Sequence, residues 1–103
     1  MIDCLTLWLS NCLYQDGADR AADAALAPLP YWERERASFL CALAQAEGEV
    51  LVVSNEVGLD IVPANALARR FRDEQGRLNQ AVAGACERVT LVVAGLGIPL
   101  KTL

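Results

Sequence analysis

The sequence predicts an α/β domain built on a mainly parallel sheet with flanking helices. Three observations predict it. The runs "VLVV" (Val50 to Val53) and "VTLVVA" (Val89 to Ala94) are continuously apolar and mostly β-branched, the pattern of strands covered on both faces. The stretches around them repeat apolar residues at helical spacing. The elements alternate as β-α-(α)-β-α-β, an order that needs right-handed crossovers. A chain of 103 residues supplies one domain, spanning 1–103.

Each element has a local reason. Met1 to Cys4 reads as the last residues of a strand. Leu5, Trp8, Leu9, Cys12 and Leu13 follow the i, i+3, i+4, i+7, i+8 spacing of a helix with one buried stripe. Tyr14 to Pro30 is rich in Ala, Asp and Pro and reads as a loop, with a short helix over Ala18 to Leu26. Tyr31 to Ala46 reads as a helix, with Trp32, Phe39, Leu40 and Leu43 near one side and Glu33, Arg34, Glu35 and Arg36 in solvent. Glu49 to Ser54 is a strand. Asn55 to Pro63 is a loop in which Gly58 suits a turn with positive φ, and Pro63 suits the start of a helix. Ala64 to Cys86 is helical, with Leu67, Phe71, Leu78, Val82 and Ala85 inward. Gly76 inside it costs about 1 kcal/mol relative to alanine, so a kink or a close contact is expected there. Val89 to Ala94 is a second buried strand, and "GLGIPLKTL" is an exposed or edge tail.

Composition narrows the function. The chain is 54% hydrophobic and 21% charged, too apolar for a disordered segment. Its net charge of −4 argues against a nucleic-acid partner, which needs a basic face. No run approaches the roughly 18 apolar residues of a membrane span. The first residues lack the basic region of a signal peptide, so the expected compartment is the cytoplasm. There is no histidine, and Cys4, Cys12, Cys41 and Cys86 form no C-x-x-C pair. That argues against a zinc site and against a Ser-His or Cys-His nucleophile. Buried free thiols are the expected state of the cysteines.

In a parallel α/β sheet, ligands sit at the carboxyl ends of the strands. Asp3 ends the first strand, and Asn55 and Glu56 end the second. Carboxylates on one edge can hold a magnesium ion or hydrogen-bond a nucleotide. The plainer readings stand beside these. Asp3 can start the helix that follows, with Thr6 nearby. Glu56 can pair with an arginine. Arg69, Arg70 and Arg72 can form a solvated face paired with Asp73 and Glu74. The first strand is short, two sheet edges are left open, and no G-x-x-x-x-G-K-[ST] phosphate cradle is present, so the sequence behaves like the second half of a larger fold.

Three segments then carry a resemblance. "DCLTLWLSN" (Asp3 to Asn11), "VVSNEVGLDIVPANALARRFRDEQGRLNQAVA" (Val52 to Ala83) and "VTLVVAGL" (Val89 to Leu96) are similar to the C-terminal part of the bifunctional adenosylcobinamide kinase / adenosylcobinamide-phosphate guanylyltransferase of cobalamin biosynthesis. The resemblance implies the C-terminal portion of a P-loop NTPase (RecA-like) fold, assembled as a homo-oligomeric trimer. It implies phosphorylation of adenosylcobinamide by ATP or GTP. It also implies GMP transfer from GTP through a guanylylated histidine, giving adenosylcobinamide-GDP. Asp3 matches the family's Walker-B-like acid, which contacts nucleotide or its magnesium, and Thr6 follows it in the motif. Asn55 and Glu56 match "NEVG" and are expected to face the cleft. Arg69, Arg70 and Arg72 match "LARxFRD", where a guanidinium suits a phosphate. The departures are the absent P-loop and histidine, Asp60 in place of a usual glycine, and Ala64 in place of a usual glutamate. The resemblance places no catalytic residue in this chain, and the chain alone is expected to be inactive. The alternative is a non-catalytic α/β fragment that acts only in self-association or partner association.

Overall fold

The computed structural model describes residues 1–20, 27–55 and 65–102. The element order is β1 (Ile2–Asp3), α1 (Leu5–Gln15), a 3₁₀ turn (Ala18–Arg20), α2 (Pro30–Gln45), β2 (Val52–Val53), α3 (Ala66–Ala85), β3 (Val89–Val93) and β4 (Leu96–Lys101). The part of the expected Ala18 to Leu26 helix beyond Arg20 lies outside the described residues. So do Glu56, Gly58, Asp60, Pro63 and Ala64.

The helical stripe of α1 folds as its spacing dictates. Leu5, Leu9, Cys12 and Leu13 are buried, while Leu7 and Tyr14 point outward. Pro30 opens α2, where its missing N–H costs nothing. Leu29 before it has no capping side chain, and Asp16 takes that role from the end of α1. Its two carboxylate oxygens accept from the Tyr31 and Trp32 backbone N–H groups, both at 2.8 Å. A carboxylate there also complements the positive end of the helix dipole. Asn65 caps α3 directly, its Oδ1 accepting from Leu67 N at 2.8 Å and Ala68 N at 3.2 Å. Around Gly76 a Cβ would meet nothing within 4 Å, so the expected close contact is absent and the residue stands in open space.

One core joins the three helices. Leu5, Leu9, Leu13, Leu29, Trp32, Leu78 and Val82 form it, with Trp8, Phe39, Leu40, Leu43, Leu67, Phe71 and Val52 packed against it. Trp8 meets Trp32 and Phe39 edge-on, with ring centroids 5.1 Å apart in each pair. Burying an aliphatic or aromatic side chain of this kind contributes about 1.5–3 kcal/mol. Ala85, expected to face inward, is exposed.

The sheet differs from expectation in three ways. First, it is two sheets. β1 pairs with β2 in parallel, Ile2 opposite Val52 and Asp3 opposite Val53, while β3 pairs with β4 in antiparallel. Second, the "GLGIPLKTL" tail is mostly strand. Ala94 and Gly95 both adopt positive φ, 52° and 76°, the geometry of a tight hairpin that folds β4 back on β3. Third, the apolar runs are not covered on both faces. Leu51 is 58% exposed and Val92 66%. The lack of alternation signals strands made for burial, and among the described residues the helices cover one face only. Lys101 anchors the hairpin, its Nζ donating to Ala83 O at 3.1 Å at the end of α3.

The cysteines also depart from the expected burial. Cys12 is buried, Cys4 and Cys86 are half-buried, and Cys41 is exposed. Cys41 lies on the solvent side of α2, four residues before Gln45, whose Nε2 donates to its sulfur at 3.6 Å.

Candidate functional site

The carboxyl ends of β1 and β2 meet at one edge, because the two strands are parallel and adjacent. Asp3 ends β1 and is exposed. Thr6, in the first turn of α1, is half-buried. Its Oγ1 accepts from the Asn55 backbone N–H at 3.2 Å, joining the exits of the two strands. Asp3, Thr6 and Asn55 thus stand on one edge, as the sequence predicts, while Glu56 falls outside the described residues.

A side-chain network behind this edge was not legible in the sequence. The Ser54 hydroxyl donates to Asn79 Oδ1 at 2.6 Å, and Gln75 Nε2 donates to Ser54 Oγ at 2.9 Å and to Asn79 Oδ1 at 3.0 Å. Asn79 Nδ2 in turn donates to the Asn55 carbonyl at 2.9 Å. Gln75 and Asn79 are one helical turn apart on α3, so both amides reach the exit of β2. Gln75 is fully buried, and its Oε1 has no hydrogen-bond partner among the described residues. The i, i+4 pair of amides in "QGRLN" is the only sequence signal of this clamp.

The arginines of α3 turn to carboxylates of the same helix. Arg70 Nε lies 3.7 Å from Glu74, and its Nη1 donates to Ala27 O at 3.1 Å. Arg72 pairs with Asp73 at 3.5 Å. Arg69 is half-buried. Glu74 is the centre of this group. It is only 6% exposed, accepts from buried Trp32 Nε1 at 3.0 Å and from Arg77 at 2.7 Å, and lies 3.7 Å from Arg36. A buried carboxylate needs such partners, and it holds α2 to α3.

Two features lie away from this edge. An open groove of about 370 Å³ is lined by Ile2, Leu5, Trp8, Glu35, Ser38, Phe39 and Ala42, and is mainly apolar. Burial pushes the Cys12 thiol up to about 11, with the Glu35 and Asp16 carboxylates adding to the effect. That holds Cys12 as a protonated packing group. No described helix is long and apolar enough to cross a membrane.

Comparison with known proteins gives the lineage. The family described as cobinamide kinase / cobinamide phosphate guanyltransferase matches residues 1–100. The bifunctional adenosylcobalamin biosynthesis protein CobP of Pseudomonas aeruginosa is 46% identical over 101 residues, which is 98% of this chain and 52% of the relative. The bifunctional adenosylcobalamin biosynthesis proteins CobU of Escherichia coli and Salmonella typhimurium are 37% and 36% identical over 107 residues, 57% of each. The chain spans about half the length of the curated relatives it matches. It belongs to the cobinamide kinase / cobinamide phosphate guanyltransferase family.

Proposed function

We propose that this member of the family supplies one wall of a nucleotide site in cobalamin biosynthesis and is inactive by itself. The reaction is phosphorylation of adenosylcobinamide by ATP or GTP, followed by GMP transfer from GTP to give adenosylcobinamide-GDP. The fold completed for it is a P-loop nucleotide-binding fold, assembled as a trimer. The observation that carries the reading is the tie between Thr6 Oγ1 and the Asn55 N–H, which brings the exits of two parallel strands together beside Asp3. Ligands of α/β sheets sit at such exits.

In this reading Asp3 and Thr6 face the nucleotide and its magnesium ion. Magnesium is commonly held by one or two carboxylates together with substrate phosphates. One exposed carboxylate beside a hydroxyl fits that donor set. Among the described residues no cluster of three or more acidic, histidine or cysteine groups could hold a metal independently. When bound, the ion neutralises phosphate charge, the main need of phosphoryl transfer. Asn55 and Glu56 border the cleft, with Ser54, Gln75 and Asn79 fixing the strand exit behind Asn55. Arg69 and Arg72 are the candidates for contact with phosphate oxygens.

The test is binding of a fluorescent GTP analogue to this chain combined with the remaining half of the Pseudomonas aeruginosa relative, produced as a separate polypeptide. Asp3→Asn should weaken binding about tenfold in magnesium and leave binding in EDTA nearly unchanged, a difference of about 1.4 kcal/mol. Equal affinities for the two forms in magnesium would remove Asp3 from the site.

The exposed hairpin favours one other reading, a non-catalytic fragment that acts in association alone. Val92 and Leu96 are 66% and 70% exposed. Light scattering on the isolated chain separates the two, since a clean monomer with a cooperative melt counts against self-association.

A further inference from the structure

We infer that an extended apolar segment from another polypeptide inserts as a strand between β2 and β3 and joins the two half-sheets into one. The inference rests on the functional reading above in one respect: the segment belongs to the half of the family's length that this chain does not span.

The crossover geometry points to the slot. The helices α1, α2 and α3 share one core, and Val52 of β2 packs against it, so all three cover one face of the sheet. Right-handed crossovers with their helices on one face step in one direction. The step from β1 to β2 therefore continues past β2 to β3, away from β1. Yet β2 and β3 are not hydrogen-bonded neighbours. Strands linked by such a crossover belong to one sheet, and this pair lacks what lies between them.

The edges agree with that placement. Val93 and Leu96 flank the two-residue turn, so they are the hydrogen-bonded pair that closes the hairpin. Alternation then turns the N–H and C=O groups of Val92 and Thr90 to the outer edge of β3. Opposite Thr90 stands Pro99, whose nitrogen falls on the outer edge of β4 and has no hydrogen to donate. The hairpin thus has a blocked edge on β4 and a receptive one on β3. On β2, Leu51 O accepts from Ile2 N at 2.7 Å, which points the Val52 N–H away from β1.

Leu51, Val53, Val92 and Val93 are exposed around this slot. The occupant is therefore a short β-branched apolar run, the composition of an interior parallel strand. Its carboxyl end would fall beside Ser54 and Asn55, so the loop after it would face Asp3 and Thr6. A second copy of this chain is a different outcome. Pairing β3 with β3 would leave Val52 unprotected.

Hydrogen exchange by NMR tests this on the full 103-residue chain, alone and mixed with the separately produced remaining half of the Pseudomonas aeruginosa relative. A one-to-one complex is expected, with exchange at Val52, Thr90 and Val92 slowed at least about tenfold and Gly97 unchanged. Val92→Pro should abolish the complex. The Val92 N–H is not used within the hairpin, so protection of Leu91 and Ile98 in the free variant verifies that β3 and β4 still pair. Protection on β4, on the outer edge of β1, on β3 alone in a homodimer, or nowhere overturns the inference. A complex with the wrong protected edge that still binds GTP leaves the functional reading standing. The expected protection without GTP binding does the reverse.

Discussion

Glu74→Ala is the most informative single perturbation of the fold. The carboxylate is 6% exposed and accepts from Trp32 Nε1, which lies in a residue with no exposure at all. Alanine leaves that N–H unpaired in the core, at a cost of about 1–3 kcal/mol. It also strips the partner from Arg70, whose side chain is 18% exposed, and from Arg36. Arg77 adds little, because its side chain is 60% exposed and such pairs are worth under about 1 kcal/mol. Removing one member of a buried charged group costs about 3–5 kcal/mol. The sum expected for Glu74→Ala is therefore about 3 kcal/mol, a large part of the 5–15 kcal/mol typical of a domain. Glu74→Gln keeps an acceptor and the shape, so it should cost about half as much. Urea denaturation followed by tryptophan fluorescence measures both, and Trp32 itself reports. A loss below about 1 kcal/mol for alanine, or equal losses for both variants, would refute the reasoning.

Asp16→Ala should destabilise by about 1 kcal/mol, since it removes the acceptor for two N–H groups at the start of α2; urea midpoints read this. Asn65→Ala should cost a similar amount through α3, while Asn65→Asp should restore it. Cys41 should be alkylated at pH 8 in minutes, whereas Cys12 should react only on unfolding, as mass spectrometry of labelled peptides would show. The same thiol sets a pH effect. Its folded value, about 11, lies above the model value of 9.0, so the native state holds the proton more tightly. Its stabilising contribution is complete below about pH 9 and is lost as pH rises through 11. A Cys12→Ala variant should lack that part of the alkaline decline.

The helices were legible because burial follows a 3.6-residue period that a single strand of sequence displays. Leu5, Leu9, Cys12 and Leu13 give α1 away, and Leu78 and Val82 do the same for α3. Asp3, Thr6 and Asn55 were legible as an edge because parallel strands end on the same side. The Glu74 centre was not. Its four partners come from α2 and α3, and "RFRDEQGR" reads as a solvated charged face until Trp32 is placed against it. The Asp16 cap spans a loop whose length hides the contact. The sheet misled for a different reason. "VTLVVA" has the composition of a buried interior strand, and composition reports what a strand is made to meet, wherever that partner resides. Ala94 carried no warning of a hairpin, because positive φ there is unusual for a residue other than glycine.

Turnover tests the central claim most directly. Adenosylcobinamide, magnesium and radiolabelled GTP would be supplied to three samples: this chain, the remaining half of the Pseudomonas aeruginosa relative, and their mixture. Labelled adenosylcobinamide-GDP is expected in the mixture alone, and it should fall at least about tenfold with Asp3→Ala. Product from this chain by itself, or a mixture indifferent to Asp3, would contradict the account.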